Sequence, residues 1–433
     1  MRALSLALTI AALLGGCVDR GEPWSDPWIL TEGELYLEDA AFRREALLES
    51  LENRENIYAR ERIASYGLDT AGWDTLPAWN PRSVPVTREV ADALFRGDAV
   101  DTDVAPLFDG TIPETMEGWV ALGREVFFRY PLRADPYVAY AVRNPDLDVG
   151  VSRDASGAVL GALVFRDVDG ETTVGLACAL CHTDVRGTET FVGAARRGLN
   201  YGALRVRYHD DTGLPIDDDL RARMEAWGPG RADITADGTE DPVAIPDLYG
   251  LRHESSLTQA GTIRHVGPAS LAIRQETQYI HANHQRTRPP RVLTFALTMF
   301  LYSLEAPAPL ARDVAAERGA TLFARHCASC HANAAYGGGL VDAEVVGTDP
   351  SLASGAARGT GVYRTSPLLG VRDAAPYFHD GTVPSLEALL STDRFLDTYA
   401  EGARGPGAVP GHRFGTQLPL EERTDLAAFL RTL

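Results

Sequence analysis

The motif CxxCH occurs twice in this chain of 433 residues, at positions 178–182 and 327–331. Two thiols three positions apart on one helical turn can bond the two vinyl groups of a single haem, and the histidine that follows can be the proximal iron ligand. The pattern therefore predicts two covalently bound c-type haems. The residues involved would be Cys178, Cys181 and His182 for the first haem, and Cys327, Cys330 and His331 for the second.

Three other interpretations of paired cysteines fit this pattern less well. The second pair begins 149 positions after the first, whereas a zinc ribbon brings its pairs within a few tens of residues. A thioredoxin-like redox motif needs neither the histidine nor a second copy, and a disulfide within a CxxC segment is strained. Haem attachment is the interpretation that uses every residue of both motifs.

The N-terminus has the order of parts found in an export signal. After Arg2 comes a nearly all-apolar run at 3–14, too short for a membrane span of ~20 residues. Residues 14–17, Leu-Gly-Gly-Cys, look like a bacterial lipobox, so we interpret 1–17 as a lipoprotein signal peptide with Cys17 lipidated. The alternative is an ordinary signal peptide with a chance cysteine. We expect a lipid-anchored protein on the periplasmic side of a bacterial membrane, with the outer membrane favoured.

The composition excludes several kinds of catalytic site and limits the binding partners. The formal net charge is −19, and all 41 basic residues are arginine. Lysine nucleophiles, Schiff-base chemistry and a P-loop are therefore excluded. The acidic balance argues against a nucleic-acid partner and favours a small basic redox protein, a cytochrome c or a cupredoxin, as the electron donor.

An internal repeat extends beyond the CxxCH motifs. Residues 245–252 and 261–263 recur at 365–372 and 381–383, at one offset of 120 positions. Similar helical segments precede both motifs, and similar apolar helices close both repeats. The repeat predicts a mainly α fold with two tandem cytochrome c-type haem domains. The expected boundaries are an N-terminal helical extension at 18–112, a first domain at 113–306 and a second domain at 307–433.

The first repeat is larger than the second. From Gly123 to Cys178 is 55 positions, but from Gly319 to Cys327 is only 8. Two apolar segments within 158–174 flank a Val-Asp-Gly turn, which predicts a β-hairpin insertion in the first domain. This asymmetry indicates that the two haems have different roles.

The N-terminal extension has its own pattern. Residues 34–66 are rich in charge, with apolar residues at helical spacing, and predict one long helix or a helical hairpin. A segment with two prolines at 76–81 ends it. The extension could separate the haem domains from the membrane anchor or cover a haem edge.

The segment at 366–372, which leads into Ala-Pro-Tyr-Phe-His-Asp-Gly at 375–381, resembles the bacterial di-haem cytochrome c peroxidase superfamily. That superfamily includes the methylamine-dehydrogenase-maturing enzymes and, more distantly, the di-haem rubber oxygenases. The resemblance covers residues 113–433 and is most specific at 376–381. It implies that electrons enter through the second haem and that the first haem meets the oxidant. Whether a calcium ion is bound as well stays open.

The second haem departs from the peroxidase pattern in its axial ligand. The distal methionine of that family falls at Asp393 here, and no methionine follows Cys330. Residues 410–415 resemble the axial-ligand segment of the rubber-oxygenase type, which makes His412 our candidate distal ligand; an exposed loop histidine is the alternative. His379 is expected to have a structural role or to meet a haem propionate. Weaker ligand candidates are Tyr363, Tyr377 and Tyr399.

The sequence defines the distal side of the first haem less well. Peroxidases place a removable histidine shortly after the first motif, but none occurs at 183–208. Glu276 falls near the family's distal carboxylate and could be the catalytic general acid/base in O–O cleavage, or a solvated surface residue. Trp227 could relay electrons between the haems or pack in the core. Farther ligand candidates are His209, Met224, His253, His265, His281 and His284.

Three functions fit these observations. The one we favour is reduction of hydrogen peroxide at the first haem, with electrons entering through the second. The second is non-catalytic electron transfer, and the third is an oxygen-activating or protein-modifying oxidase. An open iron at the first haem would separate the two enzymes from the electron carrier, and the substrate would separate the enzymes from each other.

Overall fold

The computed structural model describes residues 22–51, 72–233, 240–355 and 358–433. The predicted signal peptide with Cys17, and the later part of the predicted helical segment at 34–66, lie outside these ranges. The described chain is helical with small antiparallel sheets, so the expected helices are confirmed and the sheets add to them. No helix in these ranges has the length and apolar character needed to cross a membrane.

The N-terminal extension begins with two helices, α1 (Asp26–Glu38) and α2 (Ala40–Ser50). Asp39 separates them: its extended backbone ends α1, and its carboxylate accepts hydrogen bonds from the amides of Ala41 and Phe42 to cap α2. The extension continues with α3 (Gly72–Thr75), β1 (Ser83–Pro85) and α4 (Arg88–Arg96).

The central part of the chain, 113–306, alternates helices with short strands. Its first half holds α5 (Met116–Arg129), β2 (Arg133–Ala134), α6 (Pro136–Arg143), β3 (Ala162–Arg166), β4 (Thr172–Leu176), β5 (Thr183–Arg186) and β6 (Glu189–Val192). Its second half holds α7 (Tyr201–Thr212), α8 (Asp218–Glu225), β7 (Arg231–Ala232), β8 (Val243–Ala244), β9 (Ser256–Leu257), β10 (Ile263–Arg264), α9 (Pro268–Ala282) and α10 (Arg291–Tyr302). The strands β3 and β4 pair antiparallel, with Val164 opposite Val174.

The N-terminal extension shares its core with the central part. Ile29, Tyr36 and Trp73 are buried in one cluster with Phe295 of α10, and β1 pairs antiparallel with β3. The extension is therefore not helical throughout, because it contributes the edge strand of a sheet with the order β1-β3-β4-β2.

The last part, 307–433, has shorter elements joined by long loops. It holds α11 (Val314–His326), β11 (Leu340–Asp342), α12 (Ala343–Val346), α13 (Ser351–Ser354), β12 (Val362–Arg364), α14 (Leu386–Leu390) and α15 (Leu420–Leu430). The strands β11 and β12 pair antiparallel, with Val341 opposite Tyr363.

The same helix crossing occurs in both of these parts. Helix α5 crosses α10 at Gly123, where a Cβ atom would lie 1.9 Å from the carbonyl oxygen of Ala296. Helix α11 crosses α15 at Gly319, where a Cβ atom would lie 2.0 Å from the carbonyl oxygen of Asp425. Any larger side chain would push the backbones apart. The internal repeat of the sequence therefore extends to the packing of these helices.

The two parts meet through equivalent residues of the repeat. Gly250 and Gly370 both have a left-handed backbone with φ 73°. A Cβ atom on Gly250 would lie 3.3 Å from the side chain of Leu369, and one on Gly370 would lie 3.6 Å from the ring of Tyr249. Because Tyr249 and Leu369 are equivalent positions, this contact is reciprocal, as in a two-fold interface.

Candidate haem sites

The second CxxCH motif opens onto a largely apolar cavity of about 290 Å³, which Cys327, Cys330 and His331 line. The motif directly follows α11 and forms a turn, in which the amide of His331 donates to the carbonyl oxygen of Cys327 at 3.0 Å. His331 Nδ1 lies 2.6 Å from the carbonyl oxygen of Tyr336. With that nitrogen donating, Nε2 is available to an iron. These residues fit a covalently attached haem.

His412 lines the same cavity. Its backbone is left-handed, with φ 43°, and its amide donates to the carbonyl oxygen of Val346 at 2.6 Å. The side chain is half-buried, and Nδ1 is buried without a hydrogen-bond partner. Burial, followed by the nearby His331, lowers the pKa of His412 to about 4, so the imidazole is neutral at pH 7, as metal ligation requires. His412 is therefore not a freely exposed loop residue.

Arg394, which the sequence analysis missed, holds the loop that carries His412. Its fully buried guanidinium donates to the carbonyl oxygens of Val409 at 2.7 Å, Gly411 at 2.7 Å and His412 at 3.0 Å. The neighbouring Asp393, at the position of the family's methionine, is exposed and does not line the cavity. A buried arginine in this segment thus fixes the loop that carries His412.

The other ligand candidates at the second motif are engaged elsewhere. His379 lines the cavity, but its ring stacks on Tyr363 at 4.4 Å and its Nε2 lies 3.2 Å from the hydroxyl of Tyr363. The hydroxyl of Tyr377 donates to a backbone carbonyl at 2.9 Å. Tyr399 lies in a separate apolar cluster and does not line the cavity. Within the described chain, His412 is the histidine with a buried, unpartnered ring nitrogen.

The first CxxCH motif is packed against the β3–β4 hairpin. It begins with a one-turn helix, Cys178–Leu180, directly after β4. Gly161, just before β3, has φ +82°, and a Cβ atom there would lie 2.0 Å from the amide nitrogen of Leu180. Its carbonyl also accepts a hydrogen bond from the amide of Ala177 at 2.7 Å. The start of the hairpin therefore braces the backbone of the motif.

The functional groups of the first motif resemble those of the second. His182 Nδ1 lies 3.1 Å from the carbonyl oxygen of Pro246, which leaves Nε2 for an iron. Burial raises the pKa of Cys181 to about 11, as it does for Cys327. Neutral thiols are unlike the thiolates of zinc sites and redox motifs. The site therefore also fits covalent haem attachment.

Tyr279 lies beside the first motif, and the sequence alone did not identify it as a candidate site residue. Its hydroxyl is 3.8 Å from Sγ of Cys178, and its ring is 4.5 Å from that of Tyr130. Burial raises the pKa of Tyr279 well above its ordinary value, so the hydroxyl keeps its proton. The feature of the sequence that could have identified Tyr279 is its position on the apolar face of α9, three residues after Glu276.

Glu276 lies in a buried network that joins the extension to the central part. Its carboxylate lies 3.0 Å from Nε of Arg291 and accepts a hydrogen bond from the hydroxyl of Tyr36 at 2.8 Å. Arg291 also contacts Asp74 at 2.6 Å. The interpretation of Glu276 as solvated surface is wrong, because the residue is 0% exposed. Its proposed acid/base role stays a prediction.

The remaining ligand candidates for the first haem differ from His412. His265 is buried, with Nδ1 2.7 Å from the carbonyl oxygen of Glu254 and Nε2 2.5 Å from the hydroxyl of Tyr302. Met224 is buried in α8. Half-buried or exposed positions are held by His209, His253, His281 and His284. Among these histidines, none combines burial with an unpartnered ring nitrogen.

Trp227 packs at the boundary between the two parts of the chain. The indole is 2% exposed and shares an apolar cluster with Cys181. Its Nε1 donates to Glu240 at 2.9 Å, Arg205 lies 5.2 Å above its ring, and its carbonyl accepts a hydrogen bond from Arg404 at 3.2 Å. The core-packing interpretation describes these contacts, and the relay role stays a prediction.

An ionic contact between the two parts involves Arg358. Its guanidinium reaches Asp233 at 3.4 Å and Asp241 at 3.2 Å. Within the described ranges, no three or more His, Cys, Asp or Glu side chains are grouped as ligands for a metal ion. The calcium ion that the sequence left open is therefore not assigned a site.

Comparisons with known proteins agree with the class that these sites define, a c-type cytochrome. Residues 362–400 match the family described as RoxA-like, cytochrome c-like. The chain is 25% identical over 299 residues to the methylamine utilization protein MauG of Methylorubrum extorquens, covering 63% of this chain and 77% of that protein. A crystal structure of a MauG-like protein associated with microbial copper homeostasis has 20% identity and a TM-score of 0.31, covering 48% of this chain and 79% of that one.

The sequence matches extend the assignment from class to superfamily. The RoxA-like match covers β12 and the segment that contains His379 and Arg394. The match to MauG covers well over half of the chain. Both matches support the resemblance of the chain to the di-haem cytochrome c peroxidase superfamily and the presence of covalently bound c-type haem.

Proposed function

We propose that this chain binds two haems and reduces hydrogen peroxide at the first one, with electrons entering through the second. When bound, the haems supply the redox chemistry: one hydrogen peroxide takes up two electrons and two protons and gives two waters. The observation that carries the proposal is an asymmetry. His331 and His412 line one cavity at the second motif, whereas the histidine candidates of the first domain are hydrogen-bonded or exposed.

The second site suits electron transfer rather than substrate binding. Two neutral imidazoles, those of His331 and His412, are available to one iron, and Arg394 holds the second of them in place. An iron with two histidine ligands has no free position and a lower potential than one with methionine and histidine.

The first site suits the binding of a small oxidant. His182 is held by Pro246 for proximal ligation. Burial raises the pKa of Tyr279 well above its ordinary value. Its phenol therefore remains a hydrogen-bond donor beside Cys178, where it would donate to a small oxidant at a haem that this motif holds.

The partner and location follow from the sequence. The net charge of −19 supports a small basic cytochrome c or cupredoxin as the donor. The segment 1–17 supports a lipid-anchored protein on the periplasmic side.

A second candidate is an oxygen-activating or protein-modifying oxidase. It is supported by the match to the methylamine utilization protein MauG and by the RoxA-like match, neither of which is named a peroxidase. It uses the same open first haem and differs in substrate. A non-catalytic electron carrier would need a strong sixth ligand at both haems.

Absorption and EPR spectra of the holo-protein, fully oxidised and half-reduced, would test the proposal. We expect one low-spin and one high-spin haem, with the high-spin signal changing on addition of hydrogen peroxide and reduced donor being consumed at two electrons per peroxide. Two low-spin haems that do not respond to peroxide would refute both enzyme candidates. A response to dioxygen, with no turnover of peroxide, would favour the oxidase.

A further inference from the structure

One segment of the first domain contacts both candidate haem sites. The carbonyl oxygen of Pro246 is the hydrogen-bond partner of His182 Nδ1, at 3.1 Å. Pro246 also lines the cavity of the second motif, together with its neighbours Ala244, Ile245 and Asp247. A change at the second site can therefore reach His182 through the single residue Pro246.

Arg197 holds this segment in place. Its guanidinium donates to the carbonyl oxygen of Ile245 at 2.7 Å and to the carboxylate of Asp247 at 3.0 Å. The other oxygen of Asp247 accepts from the amide of Ala195 at 2.7 Å. Arg197, Asp247 and the amide of Ala195 thus form a closed set of hydrogen bonds around Pro246. We call this set the bracket.

The second domain holds the other end of the segment. The amide of Ala244 donates to the carbonyl oxygen of His379 at 2.7 Å, and His379 lines the same cavity. The segment 244–247 is thus fixed from both domains, by a side chain on one side and by the backbone on the other.

Arg197 also lines the cavity of the second motif, with a donor to spare. Its Nε is buried and has no hydrogen-bond partner. A haem carries two propionate carboxylates, and the planar guanidinium fork is the side chain that matches a carboxylate best. The buried, unpartnered Nε of Arg197 fits this group.

We propose that Arg197 and Asp247 are positioning residues that couple the two haem sites. Arg197 receives a propionate of the second haem and at the same time holds the segment whose Pro246 carbonyl orients His182. The hydrogen bond to Nδ1 sets the orientation and basicity of the proximal imidazole. The charge state of the second haem therefore acts on the ligand of the first, and the coupling is reciprocal. The inference rests on the two-haem part of the proposed function and is independent of peroxide reduction.

The variant Arg197→Gln tests the coupling in the full holo-protein. The readouts are the potentials of both haems in a spectro-electrochemical titration and the EPR signal of the first haem. Because a positive charge beside the second haem is removed, we expect its potential to fall. Because the bracket loses its donor fork, we expect the EPR signal and potential of the first haem to shift as well. A shift confined to the second haem would overturn the proposal.

The variant Arg197→Lys separates charge from geometry. Lysine keeps the charge but not the fork, so we expect the potential of the second haem to stay near that of the wild type while the EPR signal of the first still shifts. If the EPR signal of the first haem were unchanged both in Arg197→Lys and in Asp247→Asn, the result would count against the bracket. Haem content, measured as pyridine haemochrome, confirms that each variant carries two haems.

Arg205→Gln is the matched control, because Arg205 is as buried as Arg197 but contacts Glu240 and Trp227. We expect it to leave both potentials near those of the wild type. If Arg205→Gln or Trp227→Phe shifts both haems and Arg197→Gln does not, the coupling runs through Trp227 and the proposal is wrong. Shifted potentials without peroxide turnover would refute the proposed peroxidase and leave the coupling standing.

Discussion

The two candidate haem sites have a common helix frame but different surroundings. In both, a glycine lets two helices cross backbone to backbone, at Gly123 and at Gly319, and in both the proximal histidine is oriented by a backbone carbonyl. At the second motif, loops leave a cavity that His412 lines together with His331, whereas at the first a hairpin braces the backbone of the motif and Tyr279 lies beside Cys178. The helix frame is thus common to both sites, and the connecting segments make the surroundings of the two motifs different.

The largest effect should come from removing one pair of thiols at a time. We expect Cys178→Ser with Cys181→Ser to reduce the haem content from two per chain to one, and Cys327→Ser with Cys330→Ser to do the same, because each pair bonds one haem. The measurement is the mass of the intact protein together with its haemochrome spectrum. If either double variant kept both haems, or lost both, the assignment of one haem to each motif would fail.

The axial ligand of the second haem is the next difference to test. We expect His412→Ala to convert the second haem from low-spin to high-spin, because it removes the sixth ligand, while the first haem keeps its EPR signal. The matched control is His379→Gln, which changes another histidine of the same cavity and should leave the second haem low-spin. The reverse pattern would move the ligand assignment to His379.

The stability of a Glu276 variant should show whether this buried carboxylate has a structural or a catalytic role. We expect Glu276→Gln to lower the free energy of unfolding by about 3 kcal/mol, because Arg291 loses one of its two buried carboxylate partners. Glu387→Gln, which removes the exposed partner of Arg431 in the second domain, should cost less than about 1 kcal/mol. Denaturant unfolding measures both. Unchanged stability with lost peroxide turnover would instead make Glu276 the catalytic acid/base.

The smallest expected effect is a pH dependence of stability in the first domain. Burial lowers the pKa of His265 to about 4, against an ordinary value of about 6.5. Between these values the unfolded chain binds a proton that the folded chain does not, so stability is lost as the pH falls from 6.5 towards 4. By pH 5 the loss should be about 2 kcal/mol.

Unfolding in urea at pH 7, 6 and 5 checks this dependence. His265→Gln should flatten the profile by close to one proton, and His253→Gln, at an exposed position, should not. A His265→Gln profile as steep as that of the wild type would show that the acid sensitivity comes from other groups.

How much the sequence predicted depended on whether the signal was local. The CxxCH spacing led to c-type haem, the offset of 120 positions led to the repeat, and the segment at 366–381 led to the resemblance to the superfamily. The axial segment led to His412, which lines the cavity with His331. For Glu276, helical position and family placement were not enough to predict its partners, because Tyr36 and Arg291 come from the extension and from α10. The expectation of a helical extension missed β1, because a three-residue strand is recognisable only by its pairing with β3.

The sequence by itself determined the covalent chemistry of this protein, because thioether formation and proximal ligation need only five consecutive residues. It also determined the repeat, because equivalent positions keep their residue types. The tertiary structure alone decided what surrounds each haem site. Three contacts show this, and each joins segments 15 or more positions apart. Arg394 bonds the carbonyl of His412, Tyr279 lies beside Cys178, and Arg197 bonds the segment that contains Pro246. Such contacts depend on how the loops and helices pack, and no local pattern records them.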